Sequence, residues 1–105
     1  MSDQPAKQRT IEDIKTEDVK IQITGYIEDI SEEKNFVLDD TTGKISVITE
    51  NIKYKNKERD LINVIGDVNI EKDGTKSIVA EIIQDMTNLN FDYYLKLYKL
   101  KNEYL

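Results

Sequence analysis

Val19, Ile21 and Ile23 alternate with Lys20, Gln22 and Thr24. A period of two leaves one apolar and one polar edge, so this stretch reads as a half-buried strand and not as an amphipathic helix. Gly25 falls inside the run, which resumes through Tyr26, Ile27 and Ile30. A glycine there marks a bulge or tight bend where a long strand curves around a small barrel. The same grammar repeats downstream. Phe36, Val37 and Leu38 lead to Asp39 and Asp40 as a second strand, and Thr41-Thr42-Gly43 supplies a turn with a glycine where positive φ is needed. Ile45, Val47 and Thr49 form a third strand, paired with the second as a hairpin. Residues 50–60 are polar and read as a connecting loop, residues 61–70 as a fourth strand with Gly66 at a bend, and residues 77–83 as a fifth beyond the Asp73-Gly74 turn.

The period then changes. Phe91, Tyr94, Leu95, Tyr98 and Leu105 recur at helical spacing, and Asn88 or Asn90 is placed to cap the start. At 100° per residue, Tyr93, Leu97, Leu100 and Tyr104 form a second apolar stripe more than a third of a turn away, and Asp92, Lys96, Lys99 and Glu103 fill the remaining sector. A helix that only plugs its own barrel needs one stripe. The second therefore predicts a partner surface, most simply another helix, although tyrosines also tolerate water. Burying three or four such side chains contributes several kcal/mol, at about 25 cal/mol per Å² before association entropy is subtracted.

Upstream of the strands, residues 1–9 are polar, contain Pro5 and predict a flexible tail. Thr10 and Asp13 suggest a capping box on a short helical turn carrying Ile11 and Ile14. The chain thus divides into a tail over residues 1–9, a barrel over 10–89 and an oligomerisation helix over 90–105. Five short strands and a closing helix predict a mainly β fold, a five-stranded OB-fold barrel with a C-terminal α-helix, whose second and third strands are the usual ligand platform. A sandwich usually needs seven strands.

Composition narrows the function. With 105 residues, 38% of them apolar, the chain buries one modest core. The net charge of −6 opposes indiscriminate attraction to phosphate backbones or anionic membranes. No cysteine and no histidine are present, which removes disulfides, thiolate nucleophiles, most zinc sites and the usual neutral-pH proton shuttle. No catalytic residue, metal or cofactor is expected, and an enzyme is the least supported class. Asp39 and Asp40 read as residues that close a turn through their own backbone, not as a carboxylate pair for chemistry. Without a long apolar run or the apolar segment of a signal peptide, the chain reads as soluble and intracellular, in the cytoplasm or the nucleus or nucleoid.

The stretch from Val19 to Ile48, with Val-Lys-Ile-Gln-Ile-Thr-Gly-Tyr-Ile and then Phe-Val-Leu-Asp-Asp-Thr-Thr-Gly-Lys-Ile-Ser-Val-Ile, resembles the core of a replication protein A middle subunit and its relatives in telomere-capping complexes. Leu38, Asp39, Asp40 and Thr42 stand where that family has a hydrophobic-Asp-Asp-x-Thr turn. Val64-Ile65-Gly66-Asp67-Val68 is similar to its fourth strand, and residues 77–85 with Met86 and Asn88 are similar to the fifth strand and its exit into the helix. The likeness spans roughly residues 10–105. It implies a non-catalytic subunit of a single-stranded DNA-binding complex in DNA replication or repair, held to other OB-fold subunits or a DNA-maintenance protein by bundled C-terminal helices, here through Tyr93, Leu97, Leu100 and Tyr104.

Binding single-stranded nucleic acid takes cations along the backbone and rings to stack on bases. Lys53, Tyr54, Lys55, Lys57 and Arg59 form a basic loop, and Lys34, Lys44, Lys72 and Lys76 sit in or beside hairpin turns that could border the same groove. The end of the third strand and the fourth-to-fifth hairpin, where such subunits carry aromatic residues, hold no ring here; Phe36 reads as core, and Tyr26 fits either role. An alternative therefore stands beside the first reading: an OB-fold protein-interaction accessory subunit of a DNA polymerase, telomere or repair complex with little direct DNA binding. An RNA-binding OB module is a third class.

Overall fold

The computed structural model describes residues 5–104. Leu105, placed above in the first helix stripe, and residues 1–4 of the expected tail lie outside the described residues. The elements run in the order β1 (Lys7–Gln8), a 3-10 turn (Ile11–Asp13), β2 (Lys20–Glu28), β3 (Phe36–Asp39), β4 (Lys44–Ile48), β5 (Leu61–Ile70), β6 (Lys76–Asp85) and α1 (Phe91–Tyr104). β2, β3 and β4 pair antiparallel in succession, β4 pairs parallel with β6, β6 antiparallel with β5, and β5 antiparallel with β2. The last pairing closes the five strands into a barrel, and the helix lies outside it, so the fold is the expected mainly β OB-type barrel.

Alternation along each strand builds the interior. Ile21, Ile23 and Ile27 of β2, Phe36 and Leu38 of β3, Ile45 and Val47 of β4, Ile62 and Val64 of β5, and Ile78 and Ala80 of β6 all point inward and are buried. Ile14, just after the 3-10 turn, joins the same cluster. Gly25 takes an inward position in this series. A Cβ there would sit 2.8 Å from the carbonyl oxygen of Asp39. The ladder carries no register shift at this point, so of the bulge or tight bend expected from the sequence the bulge is absent, and the glycine serves close backbone approach where β2 passes from pairing with β5 to pairing with β3. The bulge lies between Ile65 and Gly66, where a Cβ would come within 2.1 Å of the Val79 carbonyl oxygen.

Several boundaries differ from the sequence reading for local reasons. β2 stops at Glu28, not Ile30, because Asp29 turns the chain at φ 47°. In the Thr41-Thr42-Gly43 turn the positive φ falls on Thr41, at 72°, and not on the glycine. That conformation is held by two carboxylates: Thr41 N–H donates to Asp39 Oδ1 at 2.8 Å, and Asp40 Oδ1 accepts from Thr42 N–H, Thr42 Oγ1 and Gly43 N–H. Thr10 does not cap the 3-10 turn with its side chain. The first free N–H, that of Ile11, instead donates to Asp40 Oδ2 at 2.7 Å, and Thr10 Oγ1 is buried without a partner. Lys7 and Gln8, inside the expected tail, pair parallel with Ile21 and Gln22 of β2.

Candidate nucleic-acid interface and helix face

The outward side of β3 and β4 is set by register. Phe36 opposite Val47 and Leu38 opposite Ile45 face the core, so Val37 opposite Ser46 and Asp39 opposite Lys44 face out, followed by half-buried Ile48. This platform is aliphatic and polar, with no aromatic side chain. Lys44 on its rim pairs with Glu28 at 3.1 Å, and the carboxylate keeps the ammonium protonated to higher pH than usual. An open groove of about 440 Å³ runs from Val37, Lys44 and Ser46 to Gly74, Thr75 and Lys76. Lys76 is turned partly away, with Nζ donating to the Ile14 carbonyl at 3.2 Å.

A second recess of about 440 Å³ lies at the far end of the same two strands, lined by Glu33, Lys34, Thr49, Glu50, Ile52, Lys53 and Tyr54. Its walls are fixed by a small polar lock. Asn35 Oδ1 accepts from Thr49 N–H at 2.9 Å, and Thr49 Oγ1 donates to the Lys34 carbonyl at 3.0 Å, tying the β2–β3 loop to the end of β4. Tyr54 donates its hydroxyl to the same carbonyl at 2.6 Å and sets its ring edge against Phe36, with centroids 5.3 Å apart. Burial pushes the phenol pKa up. Phe36 itself is core, as expected, with 3% of its surface exposed.

The nine residues expected to follow a nucleic-acid backbone are therefore distributed. Lys34, Lys53 and Tyr54 share the second recess, and Lys44 and Lys76 border the first groove. Arg59, with Lys44, lines a smaller recess that also contains Glu28, Asp29 and Glu58, an acidic setting. Lys55, Lys57 and Lys72 are exposed and line none of these. The sequence reading missed Glu33 and Glu50, whose carboxylates stand beside the lysines of the second recess. It also missed Val37, Ser46 and Ile48 as the platform. Register alone would have exposed the platform, because once Phe36 and Val47 are inward their neighbours must be outward, whereas Glu33 and Glu50 lie in turns with no such period.

The helix is docked by the first stripe. Phe91 meets Tyr26 of β2 edge-on at 5.2 Å, Tyr94 accepts a hydrogen bond from Gln8 Nε2 at 2.8 Å, and Tyr98 donates to Asp13 Oδ2 at 2.9 Å. Phe91 and Tyr98 are buried. Tyr26, half covered by Phe91, is a helix seat. Asn90 caps the start, its Oδ1 accepting from Tyr93 N–H at 3.1 Å. The second stripe is left in solvent: Tyr93 is 60% exposed, Leu97 40%, Leu100 49% and Tyr104 80%.

Among the described residues no helix is long and apolar enough to cross a membrane, and no group of three or more potential metal ligands gathers. By sequence, no protein-family model and no curated protein matches the chain. By structure, it superposes on the telomere-capping protein Ten1 from Saccharomyces pombe with a TM-score of 0.73 and 15% identity, covering 94% of this chain and 99% of that one. A chain of the S. pombe Stn1–Ten1 complex gives 0.70 at 14% identity, covering 97% and 96%. A chain of a replication protein A heterotrimer bound to single-stranded DNA gives 0.64 at 16% identity, covering 75% of this chain and 66% of that one. The resemblance to replication protein A and telomere-capping OB folds seen in the sequence thus holds for the fold, and with Ten1 it includes barrel and helix together.

Proposed function

We propose that this chain is a non-catalytic OB-fold subunit of a replication protein A-like single-stranded DNA-binding complex acting in DNA replication or repair. In this reading residues 10–89 form the barrel that meets DNA or a partner, and residues 90–105 mediate assembly with other OB-fold subunits or a DNA-maintenance protein. The observation that carries it is the near-complete mutual coverage with a telomere-capping protein, taken with four large apolar side chains left in solvent along the helix. Direct DNA contact is assigned to the recess shared by Lys34, Lys53 and Tyr54.

Fluorescence anisotropy of a labelled oligo-dT at low and high salt tests the DNA contact. Salt-sensitive binding is expected, weakened about tenfold by Lys34→Ala combined with Lys53→Ala. These two spare Tyr54, whose ring supports the core. Parallel titration with oligo-U separates a preference for RNA.

A second reading is favoured by the absence of rings on the β3–β4 platform and by the carboxylates of Glu33 and Glu50 beside the basic recess. On it, the barrel is a protein-interaction accessory subunit of a DNA polymerase, telomere or repair complex with little DNA contact of its own. A flat anisotropy response at low salt would select it.

A further inference from the structure

Tyr93, Leu97, Leu100 and Tyr104 have a symmetry that a helix built for an unlike partner does not require. The order Tyr-Leu-Leu-Tyr, spaced four, three and four, reads the same from either end about the midpoint between Tyr98 and Lys99. All four are exposed. We infer that this face of α1 pairs with the same face of a second copy of the chain, antiparallel, about a two-fold axis at that midpoint. The inference rests on the reading of the helix as an assembly element and specifies its occupant.

Spacing of four, three and four is that of alternating d and a positions in two heptads. Laid antiparallel with the midpoints superposed, Leu97 meets Leu100 of the second copy and Tyr93 meets Tyr104 of the second copy, so a two-fold operator satisfies every apolar position twice. The flanking charges choose the direction. Lys96 and Glu103 occupy the positions just before Leu97 and Tyr104, and in an antiparallel pair these flanks face each other across the seam. Lys96 then faces Glu103 of the second copy, and the symmetry repeats the pair. A parallel pair would set Lys96 against Lys101 of the second copy, twice over, and is repelled. Room is available too. At 100° per residue the exposed stripe is centred about 140° around the helix from the side that holds Phe91 and Tyr98, so each barrel lies behind its own helix and clear of the seam.

Sedimentation equilibrium of the full chain between roughly 10 and 500 µM brackets the weak self-association expected of helices only two heptads long. A concentration-dependent dimer is expected, lost in Leu97→Glu combined with Leu100→Glu while circular dichroism and the thermal melt of the barrel stay unchanged. Lys96→Glu alone and Glu103→Lys alone each weaken the dimer by about three- to tenfold, and the double exchange restores it. A wild-type chain that stays monomeric throughout overturns the self-pair and leaves the helix free for an unlike subunit. A dimer insensitive to the leucine substitutions overturns both the self-pair and the helix as assembly element. Tightening by Lys96→Glu, or failure of the double exchange to restore association, overturns the antiparallel two-fold arrangement.

Discussion

Asp40 is 1% exposed, yet its carboxylate accepts four hydrogen bonds, from Ile11 N–H, Thr42 N–H, Thr42 Oγ1 and Gly43 N–H. It closes the β3–β4 turn and caps the 3-10 turn at once. Asp40→Ala would strand four part-buried donors and is expected to cost about 2–4 kcal/mol in urea unfolding, with Asn intermediate because one oxygen is lost. Asp18 works differently. The Arg9 guanidinium donates to it at 2.9 and 3.0 Å, and the N–H of Lys15 adds a third bond, so its pKa lies below the ordinary 3.8 despite burial. A lowered carboxyl pKa contributes stability above the unfolded value, and that contribution is lost as pH falls through the folded one. Acid unfolding below about pH 4 should therefore be shallower in Asp18→Asn, alongside lower stability at pH 7; an unchanged acid limb would show that this ion pair is not coupled to folding. The turn-closing role of Asp39 and Asp40 was legible because an Asx turn is local. The capping of Ile11 was not, because its partner lies 29 residues away and the local Thr10–Asp13 pattern pointed elsewhere.

At the scale of elements, the strands were legible wherever one face was buried, since inward residues then recur every second position. β1 escaped because two polar residues have no period of their own; Lys7 and Gln8 become a strand only where β2 offers an edge. The glycines were visible as interruptions, but which one bulges depends on what packs over it. Gly66 lies under the Val79 carbonyl, so Gly66→Ala must push β5 from β6 or distort the bulge. A loss of about 2–4 kcal/mol is expected in thermal or urea unfolding, whereas Gly74→Ala, with open space around its Cβ position, should cost nearer 1 kcal/mol through its φ of 90°. The helix was the most legible element. Its two stripes follow from the 3.6-residue period, and the first meets Tyr26, Gln8 and Asp13 while the second stays in water.

At the scale of the whole molecule, a net charge of −6 sets the background against which any phosphate contact must act. With Lys34 and Lys53 as the cations of one recess, oligo-dT affinity should fall with salt at a slope of only about −1.4 in log–log form, two phosphates at about 0.7 each. A steeper slope would mean that the scattered Lys55, Lys57 and Lys72 are gathered onto the strand as well. Residue types pointed to the cations, but not to their dispersal among separate recesses, because which lysines share a wall is decided by pairings such as β4 with β6, far apart along the chain. The seam between β2 and β5 and the clasp of Tyr94 and Tyr98 onto Gln8 and Asp13 also dictate an order of events. On the ribosome, β2 finds β3 soon after it is made, but its other edge waits for β5, and Tyr26 waits for α1. The long loops that must close first make folding slow, and they leave the isoleucines of β2 in need of shelter until β5 has been made.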